Sequence, residues 1–242
     1  MNERISVLAE DPGLADGLAG ERLTSAIRDC LADTIKMPRG SWSPGGELAG
    51  VRTGIGLLVL EGLLVRRVGV AARFGVELLG EGDLLRPWQR EDAATTLPRS
   101  GGWRALEPCR LAVLDARFTL RAARYPEVIC ALFARVLKRS RMLAVNVAIV
   151  HHPRVDIRLH MLFWELADRW GTVHREGVRV PLRLTHAVLA DLVAAQRQTV
   201  SKALGELAGR GAVTWTGDAW LLAGRPPAEL DEFGAISIAA GA

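Results

Sequence analysis

Apolar residues recur along this chain in three successive rhythms, and each predicts a different kind of structure. Over residues 1–40, Leu14, Leu18, Ile27, Leu31 and Ile35 stand at helical spacings and stop at Pro38-Arg39-Gly40, which predicts amphipathic helices. Over residues 41–115 the apolar residues come in short runs, "GLLVL", "LLVRRVGV" and "CRLAVL". Glycine breaks at Gly45-Gly46, Gly62, Gly80-Glu81-Gly82 and Gly101-Gly102 separate them, so short strands of an antiparallel barrel or roll are expected.

From Pro126 the period is helical again. Ile129, Phe133, Val136, Ser140, Leu143, Val147 and Val150 advance alternately by four and three residues. A repeat averaging about 3.5 residues predicts a helix packed along a partner helix, and a homodimer seam is favoured over a core helix lying on the barrel. Arg135, Lys138, Arg139 and Arg141 fall mostly off that seam and are expected in water. His151-His152-Pro153 then interrupts the helix, because proline lacks the N–H and restricts its predecessor. Adjacent helical residues point about 100° apart, so the two histidines predict a hinge rather than a shared metal ion. A fresh helix is expected from Val155 to Trp170, burying Ile157, Leu159, Leu162, Phe163 and Leu166 and closed by Gly171.

The stretch "LTHAVLADLVAAQRQTVSKALGELAGRGAV" reads as two short helices. Thr185 can cap the first, whose apolar positions are Val188, Leu189, Leu192 and Val193. Ala194-Ala195-Gln196 makes a brief turn, and the second helix carries Val200, Ala203, Leu204 and Leu207 on one face. A turn that short forces a steep crossing and leaves the polar face of the second helix standing proud. On that face Arg197 suits guanine and Gln198 suits adenine in a DNA major groove. Lys202 can serve a base or a phosphate and Thr199 a phosphate, with Gln196, Ser201 and Thr185 completing the candidate DNA-binding set. "AVTWTGDAWLL" follows as a hairpin around Gly217-Asp218, so helix-turn-helix plus hairpin predicts a winged helix.

These residues resemble the cyclic-AMP receptor protein/FNR (Crp/Fnr) family of bacterial transcription regulators. The helix-turn-helix is similar to that family's pattern of Thr, an apolar helix and an R-x-T-V-[SG]-[RK] core, with Ala194 and Gln196 where the family usually has Gly and Ser. "LLVLEGLLVRR…ELLGEGDLL" looks like the family's β-roll, and "ALEPCRLAVLDARFTLRAARYPEV" like its exit strand and the entry to the dimerisation helix. The resemblance covers most of residues 40–223. It implies an α+β chain: a sensor domain of N-terminal helices and a cyclic-nucleotide-binding-like β-roll (1–125), a long dimerisation helix (126–152), a winged helix-turn-helix (153–224) and a tail (225–242). The partners it implies are double-stranded DNA with a two-fold symmetric site, a second copy of the chain, and RNA polymerase as a further candidate.

The ligand positions depart from the family. Members that bind a cyclic nucleotide use a Gly-Glu pair soon after the Gly-Asp turn and an Arg-Ser pair further on. Aligning Gly82-Asp83 puts the first pair on Arg86 and Pro87, and proline supplies neither a ribose-binding carboxylate nor an N–H. Arg99-Ser100 stands where the second pair would, leaving Arg86, Arg99 and Ser100 as the ligand candidates. Cyclic AMP is therefore not expected as the effector. Another small molecule, bound near "LRPWQREDAATTLPRSGGW", or no effector at all, fits the sequence better.

Composition narrows the remaining classes. The chain has 242 residues, 24% charged, and its apolar runs are too short to span a membrane. The opening "MNERISVLAEDPGLADGLAG" lacks the apolar core of a secretory signal, so a cytoplasmic protein is expected. A net charge of +4 fits a polyanionic partner without requiring one. Cys30, Cys109 and Cys130 lie far apart with no C-x-x-C pair, which argues against a zinc ribbon or a locally held iron–sulfur cluster, and no cofactor or metal is expected. "GEGD" lacks both a P-loop lysine and a G-x-G-x-x-G frame, and no nucleophile set is evident, so an enzyme is not expected. The competing readings are a dimeric, ligand-responsive winged-helix regulator of another family and a sensor or interaction protein that does not bind DNA.

Overall fold

The computed structural model describes residues 3–44, 48, 51, 53–70, 73–88 and 99–227, and the chain divides into two units, 1–143 and 144–242. The first unit opens with strand β1 (Arg4–Ser6), helix α1 (Val7–Glu10), a 3-10 turn (Pro12–Ala15) and helix α2 (Gly20–Asp29). Strand β2 (Leu31–Met37) follows, which corrects the expectation that helix would run on to residue 40. The reason is a coincidence of periods: Leu31 and Ile35, four apart, share a face on a helix and equally on a strand. In β2 Ala32, Thr34 and Met37 are the buried residues.

Seven more strands build the roll: β3 (Gly40–Trp42), β4 (Gly56–Glu61), β5 (Leu64–Val70), β6 (Arg73–Leu79), β7 (Leu84–Leu85), β8 (Arg99–Ala105) and β9 (Cys109–Leu114). They form two antiparallel sheets, ordered β1-β2-β9-β4-β7 and β3-β8-β5-β6, as the spacing of short apolar runs predicted. Leu57, Val59, Leu64, Leu79 and Leu111 come together in one core cluster from both sheets. Leu58, Ala112 and Leu114 on the opposite faces join Leu8, Leu14, Phe118, Val128 and Leu132 in a second. Strand β4 is thus buried on both sides, which is why "GLLVL" reads as an unbroken apolar run. Between β4 and β5, Gly62 has φ 94°, and a Cβ there would meet the Pro108 carbonyl oxygen at 2.4 Å, so the chain passes from one sheet to the other only on glycine.

Helix α3 (Ala116–Ala122) starts at Asp115, whose Oδ1 accepts from the Phe118 N–H at 2.8 Å. Helix α4 (Pro126–His151) ends at the predicted interruption. Its arginines correct a second expectation. Arg135 and Arg139 are not held out in water: Arg135 Nη2 donates to Asp11 Oδ1 at 2.9 Å. Arg139 Nη2 donates to Glu77 Oε2 at 2.7 Å and its Nη1 to the Leu84 carbonyl at 2.6 Å. Off-seam positions lie on the other side of the helix, and in the first unit that side packs on the roll rather than facing solvent.

The second unit contains α5 (Val155–Trp170), β10 (Thr172–His174), β11 (Gly177–Val180), α6 (His186–Leu192), α7 (Arg197–Gly209), β12 (Val213–Trp215) and β13 (Trp220–Leu222). Its strands make one antiparallel sheet, β10-β11-β13-β12, so the predicted wing hairpin is extended by a second hairpin that the sequence pattern did not reveal. Strand β10 is exposed throughout and β11 has one buried residue, so neither shows the alternation that betrays a half-buried strand. Phe163 is fully buried and its ring packs 4.8 Å from that of Trp220, joining α5 to the wing. Gly171 ends α5 without the left-handed conformation expected of a glycine cap: its φ is −78°, and a Cβ would lie 2.4 Å from the Ala167 carbonyl oxygen. Of the tail, residues 228–242 lie outside the described residues.

Candidate nucleic-acid interface

The helix-turn-helix forms where the apolar spacing put it. Thr185 Oγ1 accepts from the Val188 N–H at 3.3 Å and so caps α6, which buries Leu189, Ala190 and Leu192. The turn passes through Ala194 at φ 51°, a left-handed conformation that usually falls to glycine. Helix α7 buries Val200, Ala203, Leu204 and Leu207. Gln196 stands at its N-cap without a side-chain capping bond, in line with the weaker cap expected from the sequence.

The opposite face of α7 is presented to solvent. Gln196, Arg197, Gln198, Thr199, Ser201 and Lys202 are all exposed, and so is Thr185 at the start of α6. Lys202 Nζ lies 3.9 Å from Glu206 Oε1, a loose surface pair that leaves the ammonium able to change partners. One residue of this surface was missed from the sequence. His186 Nδ1 lies 2.8 Å from Ser201 Oγ, and that hydroxyl also donates to the Arg197 carbonyl at 3.1 Å. No local spacing signals a pair fifteen residues apart; only the crossing of α6 over α7 creates it.

Two charged side chains on α5 hold this arrangement from beneath. The Arg158 guanidinium donates to the His152 carbonyl, and its Nη1 to the Val193 carbonyl at 3.1 Å and the Ala194 carbonyl at 3.4 Å. One cation thereby satisfies carbonyls from the interruption after α4 and from the turn before α7. Asp156 accepts from Arg154 Nη2 at 2.7 Å and from Arg210 Nη2 at 3.3 Å, which ties the start of α5 to the end of α7. The wing is held separately: the rings of Trp215 and Trp220 lie 5.0 Å apart, Thr216 Oγ1 donates to the Ala219 carbonyl at 3.0 Å, and Arg179 pairs with Asp218.

The other predicted site residues divide cleanly. The turn before β7 is built by Asp83, whose Oδ2 accepts from the Gly80 N–H at 2.9 Å, with Gly82 at φ 81°. Arg86 follows β7 and is exposed. Arg99 and Ser100 begin β8, paired with Val70 and Gly69, while their side chains and residues 89–98 lie outside the described residues. Along the predicted seam Phe133, Val136, Ser140, Leu143 and Val147 are exposed in the single chain, while Ile129 and Val150 are half-buried. Cys30 and Cys109 are buried, and burial pushes both thiols up to about 11, away from the reactive thiolate form. Among the described residues no group of three or more His, Cys, Asp or Glu side chains could hold a metal ion, and no helix is long and apolar enough to cross a membrane.

The Asp156 clamp carries a pH prediction. Burial pushes its carboxyl up, but bonds from Arg154, the Ile157 N–H and Arg210 outweigh this and hold it below the usual carboxylate range. A depressed folded-state value means that its stabilisation is complete above the unfolded value, about 3.9, and is lost as pH falls through the lower folded one. Acid titration of the helical circular dichroism should therefore show a loss of stability below about pH 4 that is smaller in Asp156→Asn, whose neutral amide has no such proton to take up.

Comparison with known proteins agrees with this geometry. Residues 157–223 match the Crp-like helix-turn-helix domain. A CRP-like cAMP-activated global transcriptional regulator of Mycobacterium tuberculosis is 31% identical over 148 residues, which is 60% of this chain and 62% of that protein. The chain thus spans about three fifths of that relative's length. Among solved structures, a CooA mutant from Carboxydothermus hydrogenoformans shares the fold at a TM-score of 0.63, with 17% identity over 95% of each chain. The c-di-GMP responsive global regulator CLP of Xanthomonas campestris shares it at 0.56, with 18% identity over 80% of this chain and 95% of that one. A β-roll, a long helix and a winged helix follow one another in this order, as in those solved structures, and the domain match makes residues 157–223 a Crp-like helix-turn-helix domain.

Proposed function

We propose that this chain acts in the cytoplasm as a homodimeric, sequence-specific DNA-binding regulator whose effector is a molecule other than cyclic AMP, or which needs none. The observation that carries the reading is the exposed row Arg197, Gln198, Thr199, Ser201 and Lys202 above the buried Val200, Ala203, Leu204 and Leu207. A face of that composition, raised on a helix held by Arg158 and Asp156, suits base edges and phosphates of a major groove. Double-stranded DNA with a two-fold symmetric site is the partner this implies, because two copies of α7 would enter successive grooves. RNA polymerase is a further partner of the proposal. The direct experiment is sequencing of DNA selected from a random pool by the purified protein. A two-fold symmetric consensus is the expected result, and no enrichment would overturn the reading.

The dimer rests on the apolar strip of α4. Phe133 is 61% exposed and Val147 56%, far more than a helix of a monomer normally leaves in water. A partner helix would cover Ile129, Phe133, Val136, Ser140, Leu143, Val147 and Val150.

The relative from Mycobacterium tuberculosis is described as cAMP-activated, yet Arg86 and Pro87 stand here where the family's Gly-Glu pair would. Proline removes one N–H from a phosphate cradle that needs several, and the carboxylate for the ribose is absent. Near the same turn Arg139 is already occupied by Glu77 and the Leu84 carbonyl, so an anion would have to displace an internal partner. Arg86, Arg99 and Ser100 remain the side chains around which a different acidic effector would bind.

Three outcomes follow. Arg197→Ala should lose about 1–3 kcal/mol and relax preference at one base pair of each half-site in competition binding, whereas equal weakening on all sequences would make Arg197 a phosphate contact. Leu143→Lys would bury an unpaired charge at a cost of several kcal/mol and should be monomeric by light scattering. Calorimetric titration should show no micromolar binding of cyclic AMP or cyclic GMP; binding that raises DNA affinity would require Arg86 and Arg99 to form a rebuilt phosphate clamp.

A further inference from the structure

The pairing of His186 with Ser201 has a chemical consequence for binding to DNA. Ser201 owns one hydroxyl proton, and it is directed to the Arg197 carbonyl at 3.1 Å. With the hydroxyl proton on that carbonyl, the Ser201 oxygen accepts from His186 Nδ1, 2.8 Å away, and the ring carries its proton on Nδ1; in the opposite tautomer Nδ1 accepts the hydroxyl proton instead. In the neutral ring protonated on Nδ1, Nε2 is a bare lone pair, able only to accept. With Nδ1–H kept on Ser201, it becomes a donor in one way, by taking up a second proton to form imidazolium.

His186 is the first residue of α6, directly after the Thr185 cap, and its ring reaches across to the exposed face of α7. When a recognition helix lies in the major groove, the first helix of the pair crosses the sugar–phosphate backbone beside it. In that geometry the half-buried imidazole would stand between the base-reading face and the backbone, within reach of phosphate oxygens. These oxygens only accept. A neutral His186 of this tautomer would oppose lone pair to anion, while imidazolium would donate Nε2–H to the phosphate and keep Nδ1–H on Ser201.

The remaining charged groups on the elements that surround the ring are Arg197, Lys202 and Glu206 of α7, Asp191 of α6, and Arg183 in the segment leading to α6. Lys202 and Glu206 face each other at 3.9 Å. An arriving DNA phosphate adds a negative charge to this group, which favours the protonated ring.

We propose that His186 is a proton-linked phosphate contact: each subunit takes up a proton at this residue on binding DNA, so that affinity rises as pH falls through the range in which histidine titrates. The proposal rests on the DNA-binding reading above and adds to it a contact from the first helix and a dependence on pH. Linkage sets the limit at one proton per subunit, a change of up to about tenfold in affinity per pH unit for each subunit.

The test uses the full-length protein and a fluorescent duplex that wild-type protein enriches from a random pool. Affinity is measured by anisotropy at constant ionic strength from pH 6 to pH 8. Wild-type binding should weaken by about tenfold or more over that range, while His186→Ala and His186→Gln should be weak and nearly flat with pH. His186→Arg, which carries a permanent donor and charge, should bind tightly at both ends and be equally flat. The salt slope of His186→Ala at pH 6 should fall by about one phosphate contact per subunit. His174→Ala, a change at the exposed histidine of β10, should keep the wild-type pH profile. A pH-independent wild type would overturn the proposal while leaving DNA binding intact, as would a His186→Ala protein that keeps the full pH dependence. Failure of the pool to enrich would sink the DNA-binding reading itself.

Discussion

The presentation of α7 depends on carbonyl groups that helix geometry alone would leave unsatisfied. The turn between α6 and α7 is too short to bond its own Val193 and Ala194 oxygens, and the end of α4 frees the oxygen of His152. Arg158 bonds all three with one planar guanidinium. The His152 and Val193 bonds are half-buried, and such carbonyls left without partners cost about 1–3 kcal/mol each, so Arg158 helps to hold the turn that presents the polar face of α7. Asp156 does the corresponding work at the other end of α7 through Arg210. A lysine could not replace Arg158 in kind, since its single ammonium lacks the fork that spans separate acceptors.

A second economy governs α4. In the first unit Val128 and Leu132 are buried against the roll while Arg135 and Arg139 close ion pairs to Asp11 and Glu77. The same helix leaves Phe133 and Val136 in solvent. One face is thereby committed to the roll of its own chain, and another carries exposed apolar side chains. An ion pair of this partly buried kind contributes less to stability than to choosing one docking geometry, since its loss of hydration largely offsets the Coulomb attraction.

The two units differ in how their polar groups are used. In the roll, Asp83 and Glu77 are almost fully buried and serve structure, bonding the Gly80 N–H and Arg139. In the winged helix the polar residues of α7 are left exposed, while Arg158 and Asp156 beneath them are tied down. That contrast separates a scaffold from a surface shaped to meet another molecule.

Much of this was legible in the chain itself. The 3.5-residue rhythm after Pro126, the break at His151-His152-Pro153, the bounds of α5 and the i, i+3, i+4, i+7 face of α7 all appear where local periodicity puts them, because helix and turn preferences are set by near neighbours. Local pattern failed where two periods coincide, as at Leu31 and Ile35, which a strand claims by pairing with β9, far along the chain. It failed again at β10, exposed throughout, and at β11, half-buried with one buried residue, neither of which shows alternation. The partners of Arg139, Arg158 and His186 could not be read from spacing, for each lies on another element brought near only by packing. Local sequence determined which elements form and which face of α7 is polar. Tertiary structure decided which charges are clamps and which histidine stands beside α7, because hydrogen bonds between distant residues exist only once the chain has folded.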